Sequence, residues 1–392
     1  MQGMEYRQII HLDLDAFFCA VEEKADPSLR GVPFAVGGSP EGRGVVSSCS
    51  YAARVFGIHS AMPMVQALKR CPELIVVSSN FKDYRLASRL VMEKLHTLTP
   101  LVEQISIDEA FLDVTDIEGN ALEFGKLLQQ EIQSDLGLPN SLGIASNMLV
   151  AKIATDVGKS RGPKGQPPNA ITFVRAWDEA NFLAPLAVRM LWGVGPKTEE
   201  RLGEIGIETI GDLATIDQLE LMHRFGKVGL DLSRRAHGID NRPVITEHEA
   251  KSISQEVTFS KDVDTESTLL DTLSTQSHHL AGQLKRQNLT ARTVKIKLRW
   301  PDFETLTRQM TLDEPTDQSG VIFNAANSLF KRVWRRGKYV RLLGVGVTGF
   351  DTPSRQLKLW DPDWKKEEKI QDLLAEVKER YGKEVLRRGY KW

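Results

Sequence analysis

The sequence predicts an α+β protein of several domains, on three observations. The chain opens with an alternating strand that runs into a helix. Two adjacent carboxylates interrupt a stretch of β-branched and aromatic residues, and a later strand-like stretch alternates apolar with basic side chains. With 392 residues, 41% of them hydrophobic, the chain has material for cores, and its length suggests about two to four domains. No apolar run reaches the roughly 20 residues of a membrane span, and the start "MQGMEYRQIIHLDLD" lacks a signal peptide's apolar block. A soluble, cytoplasmic protein is therefore expected. Cys19, Cys49 and Cys71 are widely spaced, without a Cys-x-x-Cys pair, so neither a disulfide framework nor a structural zinc site is indicated.

The opening "RQIIHLDLDAFFCAVEE" reads as a strand from Gln8 to Asp15 followed by a helix. Alternation places Ile10, Leu12 and Leu14 on one face and Ile9, His11, Asp13 and Asp15 on the other. After "RGVPFAVGG", another short strand and turn, comes a loop with small helices that carries Tyr51 and Arg54. Helical spacing returns in "NFKDYRLASRLVMEKLHTLTP" and stops at Pro100. In "QISIDEAFLDV" the side-by-side Asp108 and Glu109 serve one ligand only if the chain bends at or just before them, because neighbours on a strand point to opposite faces. Ile105, Ile107, Phe111, Leu112 and Val114 have the character of a buried sheet, which puts the carboxylates at the rim of a core. A helix at about 120–136, the strand "SLGIAS" and a helix from Asn147 to Lys159 complete a mixed sheet with helices against one face.

"SRGPKGQPPN", residues 160–169, is a linker. An all-helical segment is expected from there to about residue 240. Within it, "LWGVGPKTEERLGEIGIETIGDLA" reads as a helix-hairpin-helix: Gly193-Val194-Gly195 turn the chain, Pro196 opens a helix, and Gly206 ends it. Such a hairpin aims backbone N–H groups at a nucleic-acid phosphate, with Lys197 beside them. Residues 245–350 form a second α+β unit. In "ARTVKIKLRW", Val294, Ile296, Leu298 and Trp300 alternate with Thr293, Lys295, Lys297 and Arg299, giving one apolar and one basic face suited to a sugar-phosphate backbone. "KKEEKIQDLLAEVKERYG" carries an apolar helical stripe from Ile370 to Tyr381.

Charge follows this division. Residues 101–165 hold 5 Lys and Arg against 10 Asp and Glu, whereas residues 251–350 hold 15 against 10, so one region suits cations and the other polyanions. Asp13, Asp108 and Glu109, without Cys or His nearby, are hard oxygen donors of the kind Mg²⁺ prefers. Two such ions about 4 Å apart hold both the attacking and the leaving oxygen of a phosphoryl transfer. Tyr51, Arg54 and Lys159 are candidate phosphate ligands.

The stretches "HLDLDAFFCAVEE", "YAARVFGI", "SIDEAFLD" and "LWGVGPKTEERL", in this order and spacing, resemble the Y-family DNA polymerases of the DNA polymerase IV type. The resemblance covers almost the whole chain. It implies a right-hand polymerase: palm at 1–18 and 80–165, fingers at 19–79, a helical thumb at 166–240 with the helix-hairpin-helix, a little finger at 245–351, and a tail at 352–392. It implies a low-fidelity translesion polymerase without a proofreading exonuclease, working on primer-template DNA and dNTPs with two Mg²⁺. Asp13, Asp108, Glu109 and the Leu14 carbonyl match its metal ligands. Ser48, Tyr51, Arg54 and Lys159 match its triphosphate ligands, and Phe18 its steric gate, while Phe17 reads as core. Gly193, Gly195, Lys197, Lys295, Lys297 and Arg299 are the expected DNA contacts. In "RQLKLWD", Gln356, Leu357, Leu359 and Trp360 resemble the sliding-clamp peptide of such polymerases, with Trp360 where Phe is usual. A monomer in a bacterial cytoplasm, associated with the nucleoid when active, is expected.

Two other readings compete. A nucleotidyl cyclase also uses paired acidic residues on a mixed sheet, but has no use for the hairpin and the basic domain. A non-enzymatic DNA-binding or clamp-recruited scaffold gains nothing from carboxylates facing DNA.

Overall fold

The computed structural model describes residues 6–247 and 249–352; the clamp-like peptide at 356–360 and the stripe from Ile370 to Tyr381 lie outside the described residues. The chain divides into two compact units. One comprises Met1–Ala250 with Thr258–Lys261, the other Lys251–Val257 with the described residues from Asp262 on.

In the first unit, β1 (Ile9–Leu14) runs into α1 (Phe17–Ala25) through Ala16, whose φ of 48° is left-handed, a conformation costing a non-glycine residue about 1 kcal/mol. β2 (Phe34–Gly37) and β3 (Val46–Cys49) follow, then α2 (Tyr51–Arg54), α3 (Met64–Arg70) and β4 (Ile75–Val77), the three strands forming a small sheet. α4 (Phe81–Leu98) leads to the hairpin of β5 (Val102–Gln104) and β6 (Glu109–Asp113), α5 (Ala121–Glu131) to β7 (Asn140–Ala145), and α6 (Met148–Ser160) to β8 (Ile171–Phe173). The main sheet has the order β5-β6-β1-β7-β8, so β1 is its central strand, antiparallel to both neighbours.

Two expectations change here. Residues 171–173, read as part of an all-helical segment, pair in parallel with β7 as a fifth strand. Helices also cover both faces of the sheet rather than one. Ile10, Leu12 and Leu14 enter one core with Ala110, Leu112 and Leu142 and with Phe17, Val91, Leu95 and Leu128 of α1, α4 and α5. Ile9, Phe111 and Ala145 enter another with Leu149, Val150 and Ile153 of α6 and the helices beyond. Polar His11 and Asp13 lie on this second face without opening it to water. His11 is fully buried, its Nδ1 2.8 Å from Thr155 Oγ1 and its ring against Phe111 at 4.6 Å. Burial, then the charges of Lys152 and Lys159, hold its pKa well below the usual imidazole value.

α6 lies very close to β7 because of one glycine. A Cβ on Gly143 would stand 1.9 Å from the Ala151 carbonyl oxygen and 2.5 Å from the Thr155 nitrogen. Asn147 caps α6 by accepting from Val150 N at 3.0 Å. From the far end of the unit, Asp240 Oδ2 accepts from Leu149 N at 3.1 Å and pairs with Arg242 at 2.7 Å.

The helical tail holds α7 (Glu179–Leu183), α8 (Pro196–Gly203), α9 (Ile210–Thr215), α10 (Gln218–Phe225) and α11 (Lys227–Ala236). Gly193 has φ +101°, and a Cβ there would meet Arg235 Nη1 at 2.5 Å. That same nitrogen donates to the Trp192 carbonyl at 2.8 Å. Gly195 is the N-cap of α8 and Pro196 its first residue, as the spacing predicts. Thr209 and Asp212 form a capping box on α9.

The second unit carries β9 (Ser252–Val263) apart from its residues Thr258–Lys261, α12 (Glu266–Arg286), β10 (Thr290–Arg299), β11 (Thr305–Thr316), α13 (Ser319–Val333) and β12 (Val340–Asp351), with strand order β11-β10-β12-β9. Val294, Ile296, Leu298 and Trp300 are buried, and Lys295, Lys297 and Arg299 half-buried on the opposite face, as the alternation predicts. Lys297 Nζ is 2.9 Å from Glu256 Oε2, and Arg299 Nε donates to Thr305 Oγ1 at 2.8 Å. The β12 residues opposite Lys295 and Lys297 are Gly346 and Gly344, and β9 packs against both: a Cβ there would meet Ser254 Cβ at 3.2 Å and Glu256 Cγ at 2.6 Å.

Candidate active site

Strand register builds the acidic rim. Asp13 on β1 is the direct partner of Glu109 on β6, and Leu14 N donates to the Asp108 carbonyl at 3.0 Å. The required bend is present. Ser106 Oγ accepts from the amides of Asp108 at 3.2 Å and Glu109 at 3.0 Å and donates to Asp108 Oδ1 at 2.5 Å, while Ile105 N and Ser106 N reach the Glu109 carbonyl at 3.0 and 3.3 Å. Asp108 thus sits on the turn and Glu109 at the first position of its strand. Ile105 belongs to this turn and is 40% exposed, which corrects its reading as a buried sheet residue.

The carboxylates are each held by a different partner. Lys159 Nζ lies 2.5 Å from Asp13 Oδ1 and 3.4 Å from Asp15 Oδ1, and Lys152 Nζ lies 2.9 Å from Glu109 Oε1. As these side chains are turned, no three Asp, Glu, His or Cys among the described residues are arranged to hold a metal ion. The donor chemistry nevertheless suits a hard divalent cation: burial pushes the Asp13 carboxyl up to about 7 against the pull of Lys159, and Glu109 and Asp108 add to the rise. A carboxylate burdened by burial and like charge gains most from a nearby cation. Burial opposes the charge of Lys159, but Asp13 and Asp15 prevail and raise its pKa.

Lys152, Thr155, Asp156 and Lys159 share one side of α6 by their spacing. Of these only Lys159 was singled out from the sequence. Lys152 and Asp156 were missed, although their places seven and three residues before the named Lys159, on one helix side, were the available signal. Asp15 was missed too. It is fully buried and accepts from Ser141 Oγ at 2.9 and 3.1 Å and from Asn169 N at 3.1 Å.

The other expected site residues distribute as follows. Ser50 caps α2 by accepting from Ala53 N at 3.1 Å, and the Arg54 guanidinium lies 4.5 Å over the Tyr51 ring. The buried Tyr51 hydroxyl has no hydrogen-bond partner among the described residues. Burial, then the neighbouring Asp15 carboxylate, raise its pKa. Ser48 is buried on β3 and accepts from the Cys19 thiol at 3.6 Å. Phe18 stacks on Tyr84 at 4.4 Å and 13° and is only half-buried, whereas Phe17 is 2% exposed in the core. Gly193, Gly195 and Lys197 lie at the entry to α8, and Lys295, Lys297 and Arg299 in the second unit.

Comparison with known proteins identifies the family. The impB/mucB/samB family matches residues 12–156, its C-terminal domain residues 250–359, and the HHH motif of the same family residues 178–207. The DNA polymerase IV of Dehalococcoides mccartyi (strain CBDB1) is 40% identical over 390 residues, covering 98% of both chains. The chain belongs to the Y-family DNA polymerases, of the DNA polymerase IV type. The DNA polymerase IV of Streptococcus suis (strain 98HAH33) is 42% identical over 88% of this chain and 97% of its own. Among solved structures, a Y-family DNA polymerase chimera has a TM-score of 0.77 at 26% identity, covering 87% of this chain and 98% of that one. DinB from Sulfolobus solfataricus has a TM-score of 0.58 at the same identity and coverage. This Y-family polymerase is thus a DNA-directed, translesion DNA polymerase that binds DNA and nucleotides and uses a divalent metal. Among the described residues no helix is long and apolar enough to cross a membrane.

Proposed function

We propose that the polymerase adds dNTPs to a primer 3′ end at the rim formed by Asp13, Asp108 and Glu109, with the Leu14 carbonyl as a further oxygen donor, and that these groups hold two Mg²⁺. The observation that carries this reading is the β1–β6 register, which sets Asp13 opposite Glu109 and hydrogen-bonds Leu14 to Asp108. When bound, the ions supply activation of the primer hydroxyl and stabilisation of the leaving pyrophosphate. Ser48, Tyr51, Arg54 and Lys159 are assigned to the triphosphate. Arg54 forks onto phosphate oxygens, and Lys159, now on Asp13 and Asp15, supplies a mobile point charge. Phe18 presents a flat aromatic wall, fixed against Tyr84, beneath the sugar, where a 2′-hydroxyl has no room.

In domain terms, residues 1–18 and 80–165 act as palm, 19–79 as fingers, 166–240 as thumb and 245–351 as little finger. The amides around Gly193 and Gly195, with Lys197, contact duplex phosphates, as do Lys295, Lys297 and Arg299. Gln356, Leu357, Leu359 and Trp360 recruit a sliding clamp. Replacing Leu357 and Trp360 by Ala is expected to leave basal extension unchanged and remove its stimulation by the clamp. The enzyme works as a monomer in the cytoplasm, at the nucleoid, and is expected not to excise a mismatched 3′ end.

The deciding experiment extends a labelled primer on a DNA template with dNTPs and Mg²⁺, comparing the unchanged protein with Asp108→Ala plus Glu109→Ala. Extension is expected to disappear in the double variant. Full extension by that variant would remove the acidic rim from the mechanism.

A further inference from the structure

We propose that Lys152 and the divalent metal compete for the Glu109 carboxylate, and that Asp156 receives the lysine when the metal takes its place. The proposal rests on the assignment of Asp13, Asp108 and Glu109 as metal carboxylates.

Lys152 Nζ lies 2.9 Å from Glu109 Oε1, with side-chain exposures of 18% and 23%. An ammonium at that distance occupies the side of the carboxylate that a cation on the same oxygen must approach. Mg²⁺ or Mn²⁺ binds carboxylate oxygen at about 2.0–2.2 Å, and a second cation a few ångström away in a half-buried site is strongly repelled. A cation drawn to Glu109 therefore favours departure of the ammonium. The backbone of α6 is in no position to withdraw, because it is seated on Gly143 of β7 and tied to β1 through Thr155 and His11. What remains free to move is the lysine side chain itself.

It has somewhere to go. Asp156 is four residues further along α6, on the same helix face, and is half-buried. The charges of Lys152, Lys159 and Glu109 all act on it. An i, i+4 pair with Asp156 would keep the ammonium hydrated on one side and neutralised on the other after it leaves Glu109. Lys159 is placed in the same way on Asp13 and Asp15, so α6 supplies one lysine to each side of the acidic rim. Lys152 is a positioning residue here. It acts through Glu109, by regulating when that carboxylate is available.

The test is Mn²⁺ binding to the full chain without DNA or nucleotide, with free Mn²⁺ followed by electron paramagnetic resonance. Lys152→Met is expected to tighten binding about fivefold, the upper range for a solvent-accessible ion pair. Lys152→Arg keeps the pair and is expected to bind close to the unchanged protein; Lys152→Gln carries the same expectation as Lys152→Met should that variant not fold. Asp156→Asn is expected to weaken binding about threefold in the unchanged background and to have no effect when combined with Lys152→Met, because its action passes through the lysine. Unchanged or weaker binding by Lys152→Met overturns the competition. An equal effect of Asp156→Asn in both backgrounds removes Asp156 as the receiver. Asp108→Asn plus Glu109→Gln separates the two layers: if that variant still binds Mn²⁺ normally, the metal assignment fails and the proposal with it. If it binds none while Lys152→Met is unchanged, only the competition fails.

Discussion

Replacing Gly143 by Ala adds one methyl group to the central sheet and tests whether the closeness of α6 to β7 is what places its lysines. The new Cβ would lie 1.9 Å from the Ala151 carbonyl oxygen and 2.5 Å from Thr155 N. Ordinary contact needs about 3.5 Å, so the helix has to move outward by roughly 1.5 Å. Both offending atoms are backbone, and no side-chain rotation relieves them. Overpacking of this kind costs about 1–3 kcal/mol. Loosening the His11–Thr155 hydrogen bond costs about 1 kcal/mol more. About 3 kcal/mol in a unit of this size lowers the melting temperature by roughly 9 °C. The same displacement moves Lys159 away from the place where it is proposed to meet the triphosphate, and misplacement by about 1 Å costs on the order of 100-fold in rate. The assay pairs a thermal melt with primer extension at a temperature where the variant is folded. Gly203→Ala is the control: it sits on α8 with nothing within 4 Å of its added Cβ and is expected to be neutral or stabilising by about 0.5–1 kcal/mol. A Gly143→Ala protein that melts within about 2 °C of the unchanged one would refute the packing argument. Normal melting with a lost rate would still sever the link between packing and stability.

Three other outcomes follow from single contacts. Phe18→Ala removes the ring stacked on Tyr84 and is expected to admit ribonucleotides; unchanged sugar discrimination in single-nucleotide insertion rejects the gate assignment. Lys295→Gln with Arg299→Gln removes two cations from the exposed face of β10. The slope of log affinity against log salt for duplex DNA is expected to fall by about 2, and an unchanged slope means that this face does not meet phosphate. Burial opposes the ionisation of Asp240, but its bonds to Arg242 and Leu149 prevail and hold its pKa below the usual value. Since the folded value lies below the unfolded one of about 3.9, the pair's contribution is complete above about pH 5 and disappears as pH falls through the folded value. Melting curves of the unchanged protein and Asp240→Asn are expected to differ at pH 7 and to draw together only as pH falls from the unfolded value of about 3.9 through the lower folded one; a constant difference at all pH values contradicts the linkage.

Much of this architecture was legible because it depends on local chemistry. The alternation in Ile10, Leu12 and Leu14, the start of a helix near Asn147, the Gly193-Val194-Gly195 turn before Pro196 and the two faces of β10 are each decided by neighbouring residues. What was not legible depends on the third dimension. The short strand Ile171–Phe173 is too brief for periodicity to register and exists because β7 offers it an edge. Alternation does not show that His11 is buried; its Nδ1 meets Thr155, distant in sequence, beneath α6. The acidic residues were identifiable from their type and flanks. Their counterions were not, since the pairing of Lys152 with Glu109 and of Lys159 with Asp13 requires β1, β6 and α6 to be assembled first.

That assembly explains why lysines stand there at all. Three carboxylates gathered at the rim of a buried sheet repel one another and resist desolvation, so the strands that carry them lose stability in proportion to how well they are placed for a metal. Two ammonium groups from one rigid helix offset that cost while the chain folds. Flexible side chains are suited to the task, because they can leave a carboxylate that the sheet holds fixed. A loop would deliver the same charges without a defined distance, whereas α6, pressed onto Gly143 and capped by Asn147 and Asp240, delivers them seven residues apart on one face. The close approach that stabilises the unit is therefore also what sets the distances at the acidic rim, and substitutions that loosen α6 are expected to lower stability and rate together.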